Sequence, residues 1–360
     1  MEQVTAIDLA LFAIFLVVLI FPFKVKIVEE NLELFLFIMG TIAVTATSKW
    51  SFDLVKLAAE EPVAKGIVPA VLVAGLLFYF GRRPLQNGLN SILKTIPLNA
   101  ILFTMVVILG LVSSIITAII ASLFLVEIVN LLPLERKEKI NLTIIACFSI
   151  GLGAVLTPLG EPLSTIAVVK LAGPPYHADF WYLFRQLGVL IVLGVLACGA
   201  FCIFYVGRNA GSTDRKYEER EEEGGLKEVF VRTIKVYAFV SALFLLGAGM
   251  EVLIDKYFTK VPAEILFWAN MVSAILDNAT LTAAEIAPSM TQNQISAALM
   301  GLLISGGMLI PGNIPNIISA GKLGINSGEW ARLGVPMGLV LNAIYFVAIF
   351  FLGFNPRIGG

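Results

Sequence analysis

Charged residues are scarce in this chain of 360 residues: they make up 14% of it, against 58% hydrophobic residues. Soluble domains carry about a quarter of charged residues, and a mean hydropathy of +0.90 lies well outside their range. A net charge of −1 leaves no basic surface for nucleic acid, which we exclude as a partner. The composition predicts an all-α polytopic membrane protein in contact with the lipid bilayer, and we expect a multi-pass protein of the cell (plasma) membrane.

Cysteine and histidine are also nearly absent. Cys147, Cys198 and Cys202 all fall inside apolar runs, where buried neutral thiols are expected rather than disulfides or metal ligands. The single histidine, His177, falls in a predicted external loop. The chain has no HExxH zinc motif and no nucleophile elbow. We therefore expect no cofactor and no enzyme.

A cleavable signal peptide is the third missing feature. The first apolar run lacks a small-residue cleavage site, so we interpret it as a retained span. Runs of similar length, each able to cross roughly 30 Å of hydrocarbon, recur along the chain. Ordinary spans are predicted at 7–23, 32–48, 66–81, 182–206, 229–253 and 332–354.

Two stretches repeat each other and interrupt an apolar run in the same way. Residues 151–164 read GLGAVLTPLGEPLS and residues 305–316 read SGGMLIPGNIPN, and Gly312 follows Gly160 by 152 residues. Proline removes a backbone N–H donor and glycine permits unusual torsions, so each stretch should break its helix and leave carbonyl groups free. Discontinuous helices are predicted at 140–172 and 293–324, with breaks at Pro158, Gly160 and Pro162 and at Pro311, Gly312 and Pro315.

A predicted hairpin precedes each broken helix, at 97–132 and at 262–290. SSIIT at 113–117 in the first matches SAILD at 273–277 in the second. The second run has about 29 residues, which is too short for two crossings and too long for one upright helix. A re-entrant hairpin fits this length and its polar tip, because irregular backbone survives at membrane depth only when protein or water covers it.

The matched positions indicate one ancestral unit that occurs twice. Their separation shrinks along the chain, as expected if the second copy has shorter loops. Loops rich in lysine and arginine should be cytoplasmic, which places the two hairpins on opposite sides and predicts two inverted-topology repeats. The predicted organisation is two spans in 1–65, a first repeat over 66–206, a charged cytoplasmic linker over 207–228 and a second repeat over 229–354. Each repeat contains a span, a hairpin, a broken helix and a span.

Two acids at these breaks are the main candidate ligands. A carboxylate at bilayer depth costs about 3 kcal/mol or more, so Asp277 at the second tip and Glu161 in the first break are functional candidates. Asp277 alternatively only caps the following helix, and Glu161 alternatively pairs with Lys170. We predict that both bind an alkali cation. Neutral oxygen ligands are predicted from Asn278, Thr280, Thr157, Ser164, Asn313, Asn316, Ser113, Ser114 and Thr117.

Glu127 and Glu285 occupy similar places in the outgoing arms of the two hairpins. They follow Thr117 and Asp277 by ten and eight residues, which is two or more helical turns. We expect them near the membrane interface, where they snorkel or form a structural pair; a proton relay is the alternative.

The ordered set of hairpins and broken helices resembles the ion transporter superfamily, which includes dicarboxylate/sodium symporters, arsenite permeases and NhaD-type sodium/proton antiporters. The antiporter tip looks like Leu-Asp-Asn, and residues 276–278 read LDN. The symporter break reads roughly Gly-Thr-Pro-Pro-Asn, and residues 312–316 read GNIPN. The first tip departs from the family, because Ser113, Ser114 and Thr117 stand where an asparagine is typical. A Gly-Glu-Pro in the first broken helix is similar to that of a small group of proposed cation transporters.

The resemblance implies a homodimer in which scaffold spans are fixed and the hairpins and broken helices form a mobile transport unit. Two nearby acids would repel a dicarboxylate by several kcal/mol at low dielectric and favour a hard cation, for which a proton competes. We therefore predict a sodium (or lithium)/proton antiporter that works by elevator-type alternating access. The alternative is a sodium-coupled symporter of a small anion or dicarboxylate. An intramembrane aspartyl hydrolase that uses the same acids is a remote alternative.

Overall fold

The computed structural model describes most of the chain. Its regular structure is entirely helical, and no strand occurs in the described ranges. The predicted span 66–81 and most of the predicted linker lie largely outside these ranges. The described residues are 5–25, 27–28, 31–64, 68–69, 72–73, 76, 96–207, 226–257, 262–276, 278–286, 288–354 and 356–358.

Three helices in the described ranges are long and apolar enough to cross a membrane. They are Leu98–Ile116, Tyr182–Gly207 and Ser327–Phe351, and shorter apolar helices occur at Ala6–Val18, Glu33–Ala46 and Ala118–Leu131. These helices confirm the prediction of a helical membrane protein. All three cysteines are buried free thiols, as predicted.

The N-terminal part contains one helix that the sequence pattern did not predict. The third helix carries two glutamates, an aspartate and a lysine in thirteen residues, so it does not stand out as an apolar run. The first helix begins with a capping box, in which Thr5 and Asp8 exchange side-chain and backbone hydrogen bonds. The bounds are α1 (Ala6–Lys24), α2 (Leu32–Ala46) and α3 (Phe52–Ala64).

The next helices contain the first predicted hairpin and the first predicted broken helix. The broken helix starts at Arg136 rather than at 140, because the charged residues 136–139 form its first turn. The bounds are α4 (Leu98–Ile116), α5 (Ala118–Leu131), α6 (Arg136–Ala154), α7 (Pro162–Lys170) and α8 (Tyr182–Cys202), which continues as a π turn over Ile203–Gly207. With 19 residues, α4 is about 28 Å long.

The remaining helices follow the same order. The last span starts at Ser327, five residues before the predicted 332, because Asn326 and Glu329 form a capping box there. Its bounds and those of its neighbours are α9 (Leu226–Tyr257), α10 (Ala263–Ala269) with a 3₁₀ turn over Asn270–Ala274, α11 (Asn278–Glu285), α12 (Gln292–Gly306) with a 3₁₀ turn over Ile310–Gly312, α13 (Ile314–Leu323) and α14 (Ser327–Phe346) with a π turn over Val347–Phe351.

Helices of each half of the chain pack against helices of the other half, and this arrangement is called crosswise packing below. α4 packs against α6, and α10 with its 3₁₀ turn packs against α12, so each incoming hairpin arm contacts the broken helix that follows it. The outgoing arms also reach the other half of the chain: α5 packs against α13, and α11 packs against α7. The two interruptions are thereby held in one helical core.

A second tight interface joins α2 to α9. A methyl group built on Gly40 would lie 2.8 Å from the Leu246 backbone nitrogen, and one on Gly249 would lie 2.5 Å from the Ala43 Cβ. Small residues that allow such backbone approach are typical of helix pairs in membranes. α2 and α9 therefore form a compact pair, and α9 also packs against α11.

Candidate functional site

The first interruption lies between α6 and α7 and turns on Gly160. A methyl group built on this residue would lie 1.9 Å from the carbonyl oxygen of Ala154, the last residue of α6. Only glycine fits such an approach to the backbone. The chain then passes Glu161 and re-enters a helix at Pro162, where proline is tolerated because the first helical N–H groups have no partner within the helix.

The second interruption lies between α12 and α13 and turns on Gly312 in the same way. A methyl group on Gly312 would lie 2.5 Å from the carbonyl oxygens of both Gly306, the last residue of α12, and Ser273, in the second hairpin. Each break glycine thus stands six residues beyond the end of the preceding helix and touches its terminal carbonyl group. The helices are interrupted within both predicted stretches, between Ala154 and Pro162 and between Gly306 and Ile314.

The turn of the first hairpin contacts the first interruption. Thr117 adopts φ 74° and ψ 150°, a region that is almost restricted to glycine and costs about 1–3 kcal/mol. Its hydroxyl caps α5 by accepting the Ile120 N–H at 3.4 Å, and the neighbouring Ala118 N–H donates to the Gly160 carbonyl at 2.8 Å. The strained turn is therefore held against the break.

Four of the five predicted hydroxyl ligands of the first half, all except Thr117, donate to carbonyl groups. Ser113 donates to Gly110 at 2.6 Å and to Ile150 at 3.1 Å. A hydroxyl oxygen that donates its proton keeps lone pairs that can bind a cation. The other three hydroxyls make the same kind of bond: Ser114 to Leu111, Thr157 to the Ser114 carbonyl and Ser164 to the Glu161 carbonyl.

The predicted amide ligands are buried at the second interruption. Asn316 donates from Nδ2 to the carbonyl oxygens of Gly306 at 2.8 Å and Leu309 at 2.9 Å, and its Oδ1 has no hydrogen-bond partner among the described residues. Asn313 packs against the first half, because its Nδ2 lies 2.7 Å from a methyl group built on Gly151 in the last turn of α6. The two predicted broken helices therefore meet at this amide.

The second tip is described only in part. Asn278 begins α11 with 3% of its surface exposed, and its Nδ2 has no hydrogen-bond partner in the part of the chain that the structure describes. Asp277 and the side chain of Thr280 lie outside the described residues, so their assignment as ligands stays a prediction. Ser273 lies beside Gly312, and its buried hydroxyl also lacks a partner within the described ranges.

Glu161 lies at the end of the first interruption, immediately before α7. Its side chain is 7% exposed, and the N-terminus of a helix favours a carboxylate through its dipole. Because α11 packs against α7, the helix that follows Asp277 contacts the helix that follows Glu161. Whether both acids bind one ion stays a prediction.

The two acids of the outgoing arms differ. Glu127 forms an ion pair with Lys322 at 3.4 Å, which joins α5 to α13, so the expectation of a structural pair is confirmed for this residue. Glu285 does not snorkel and forms no ion pair among the described residues: it is 6% exposed and accepts a hydrogen bond from Asn270 at 2.9 Å. The reason is that its short outgoing arm, α11, packs against three other helices, α7, α9 and α12.

Two buried amides were missed by the sequence analysis. Asn270 also donates to the Ala298 carbonyl at 3.1 Å, and Asn342 on α14 donates to Ser305 at 3.1 Å. Each is the single polar residue of its apolar segment, FWANMV and LVLNAIY. A lone asparagine in an apolar segment could have identified them from the sequence, since burying a polar group at membrane depth costs free energy.

The arrangement as a whole offers oxygen ligands without a cluster of acids. Within the ranges given above, no three His, Cys, Asp or Glu side chains come close enough to share a metal ion. Hydroxyl, amide and carbonyl oxygens lie at the two breaks, and oxygens of these kinds are the neutral ligands that suit a hard cation. Glu161 is the one acid among the predicted ligands that the structure describes.

The chain belongs to the family DUF1646, described as a protein of unknown function, whose model matches residues 8–352. The match includes both interruptions and both predicted hairpins. The search of curated proteins finds no match.

Proposed function

We propose that this DUF1646 protein is a secondary active transporter, a sodium (or lithium)/proton antiporter of the cell membrane. The observation that carries the proposal is the crosswise packing: α5 contacts α13 and α11 contacts α7. In secondary transporters the substrate site lies where interrupted helices of two repeats meet near the bilayer midplane. Contacts of this kind place both breaks in one core.

We further propose that the two halves are inverted-topology repeats with re-entrant hairpins. Their support is a set of equivalent features. The break glycines have the same spacing from the preceding helix, both outgoing arms cross to the other half, and both closing spans, α8 and α14, end in a five-residue π turn. π turns are rare and often lie at functional sites, so their occurrence at matching places favours a common origin.

A cation is the proposed cargo because of the charge at the breaks. Glu161 is buried at the first break, and the sequence has a second acid, Asp277, at the tip of the second predicted hairpin. Two carboxylates repel an anion by several kcal/mol at low dielectric, whereas hydroxyl, amide and carbonyl oxygens complete the coordination of sodium or lithium. A proton competes with the cation for the same carboxylate oxygens, which couples the two fluxes.

The proposed movement is of the elevator type. The hairpins and broken helices form one interlocked body through α5, α7, α11 and α13, whereas α2 and α9 form a compact pair that meets this body where α9 packs against α11 and α13. We assign the first set to the mobile transport unit and the second to the fixed scaffold of a homodimer. Alternating access then requires sliding between these bodies and no unfolding of the breaks.

A sodium-coupled symporter of a small anion or dicarboxylate is the second candidate. α7 and α13 both begin at the breaks, and the N-termini of half-helices carry unpaired N–H groups and a partial positive charge that attract anions. In this case the acids bind only the coupling ion.

The test is proton release from proteoliposomes that contain the purified protein. Sodium added on one side should release protons in the wild type, and Asp277→Asn and Glu161→Gln should lower that release by at least tenfold. Asp53→Asn, on the exposed side of α3, is the matched control for loss of one acid and should transport as the wild type does.

Two results would overturn the antiport proposal. One is the absence of any sodium-dependent proton movement in the wild type. The other is an Asp277→Asn variant with unchanged release. Sodium-driven uptake of a labelled dicarboxylate, without proton release, would favour the symporter instead.

A further inference from the structure

Glu285 is a buried acid for which the proposed mechanism has no role. It ends α11, is 6% exposed, and is neither one of the predicted cation ligands nor next to one in sequence. Its Oε2 accepts a hydrogen bond from Asn270 Nδ2 at 2.9 Å. Burying a carboxylate without a counter-charge is costly, and the usual outcome is that the group takes up a proton.

The hydrogen bonds around Glu285 lack one donor. Asn270 uses Nδ2 for both Glu285 and the Ala298 carbonyl, while its Oδ1 has no partner in the described residues. Oε1 of Glu285 likewise has none among them. Both orphaned atoms are acceptors. A proton on Oε1 turns one of them into a donor, which is the change that a buried acid and amide pair requires.

No basic side chain neutralises this acid within the described ranges. α12, packed against α11, carries no charged residue. On α9, Lys235 and Lys256 pair with Glu33 and Asp8. Two other basic residues on these helices are described: Lys170 on α7, which forms no described ion pair with Glu285, and Lys227 at the start of α9. The side chains of the other charged residues on α9 lie outside the described part; they are Glu228, Arg232, Glu251 and Asp255.

The equivalent acid of the first hairpin has the opposite environment. Glu127 pairs with Lys322 at 3.4 Å and is 21% exposed, so its charge is compensated. The two outgoing arms therefore carry one compensated acid and one buried acid whose only described partner is an amide. Helix packing does not require this difference, since a leucine of similar size could fill the place of Glu285 and would bring no carboxylate into the core.

We propose that Glu285 is a proton-binding site, separate from the cation ligands, and that it carries a proton through the transport cycle. Proton binding at Glu285 does not depend on the proposed antiport, and only its role as a proton carrier rests on that proposal. Glu285 holds the proton while the hairpin is packed in the present arrangement and releases it when α11 moves toward water. This proton is carried in addition to the one that competes with the cation at the carboxylates that bind it.

Infrared difference spectroscopy and transport test the two parts separately. In the reconstituted protein, a pH step through the neutral range should reveal the carbonyl band of a protonated carboxylic acid. Glu285→Gln should lose this band, and Glu127→Gln, the matched control, should keep it. Asn270→Ala removes the one N–H group that stabilises the charged form, so its band should persist to higher pH. A purely structural carboxylate would show none of these changes.

In transport, Glu285→Gln should still bind labelled sodium but should release fewer protons per sodium ion than the wild type. A band unchanged in Glu285→Gln overturns the proton site, whatever the transport result. Loss of the band with wild-type proton release overturns the carrier role. If the antiport proposal itself is wrong, proteoliposomes with the wild-type protein release no protons when sodium is added.

Discussion

The close approach at the break glycines makes a sharp prediction for Gly160→Ala. The added methyl group would stand 1.9 Å from the Ala154 carbonyl oxygen, whereas ordinary contacts of this kind lie at 3.4–4 Å. The obstacle is backbone and cannot rotate away, so α6 and the break must separate by about 1.5 Å. Overpacking costs about 1–3 kcal/mol and occasionally more, and we expect about 3 kcal/mol here. For Gly312→Ala, where the oxygens lie at 2.5 Å, we expect about 2 kcal/mol.

Gly321→Ala is the matched control. Gly321 lies inside α13 with no atom within 4 Å of an added methyl group, so replacing glycine by alanine there should stabilise the helix by about 1 kcal/mol. The variants at 160 and 321 therefore differ by about 4 kcal/mol, which is a factor of about a thousand in the folding equilibrium.

The measurement is reversible unfolding in mixed detergent micelles, followed by tryptophan fluorescence. Trp330 is fully buried against α12, where its indole N–H donates to the Gly307 carbonyl at 3.1 Å, and it reports directly on this core. Equal unfolding free energies for Gly160→Ala and Gly321→Ala would refute the reasoning, because the break would then have room that the structure does not show.

Three further predictions concern the same core. Thr117→Gly should stabilise the protein by about 1 kcal/mol, because it relieves the backbone strain at a small capping cost, whereas Thr117→Ala keeps the strain and should destabilise it. A double-mutant cycle of Ser305→Ala and Asn342→Ala should give a coupling free energy of about 0.6 kcal/mol, the usual value between membrane helices, and zero coupling would show that the bond does not form. Glu127→Gln should be less stable than the wild type, and adding Lys322→Met should recover part of the loss, since no buried charge is then left alone; a double variant less stable than the single one would contradict the pairing.

The sequence predicted the breaks because they have local causes. Proline and glycine act on the backbone wherever they stand, so Pro162 and Gly312 could be read without knowing their neighbours. The partner of a side chain is a different matter. Nothing in the local pattern says that Glu127 meets a lysine and Glu285 an asparagine, because the partners come from other helices whose rotation is set by packing.

Hydropathy predicts long apolar helices but not short helices with several charged residues. It predicted α8 and α14 well, because they are long and apolar, and it missed α3, whose four charged residues hide a helix of thirteen residues. The length of α4 could not be predicted from the second copy, since the equivalent segment there is shortened to a seven-residue helix and a 3₁₀ turn. Matched sequences therefore predicted the order of elements better than their dimensions.

The crosswise packing bears on how the chain is made. During synthesis α5 and α7 enter the membrane before α11 and α13 exist, so both early helices wait beside lipid or the insertion machinery with part of their contact surface open. The first half can complete its core only after the second half has been inserted. Either half expressed alone should be a substrate for membrane quality control, and co-expression of the two as separate chains should rescue both. Packing of α5 and α7 is therefore complete only after α11 and α13 have been inserted.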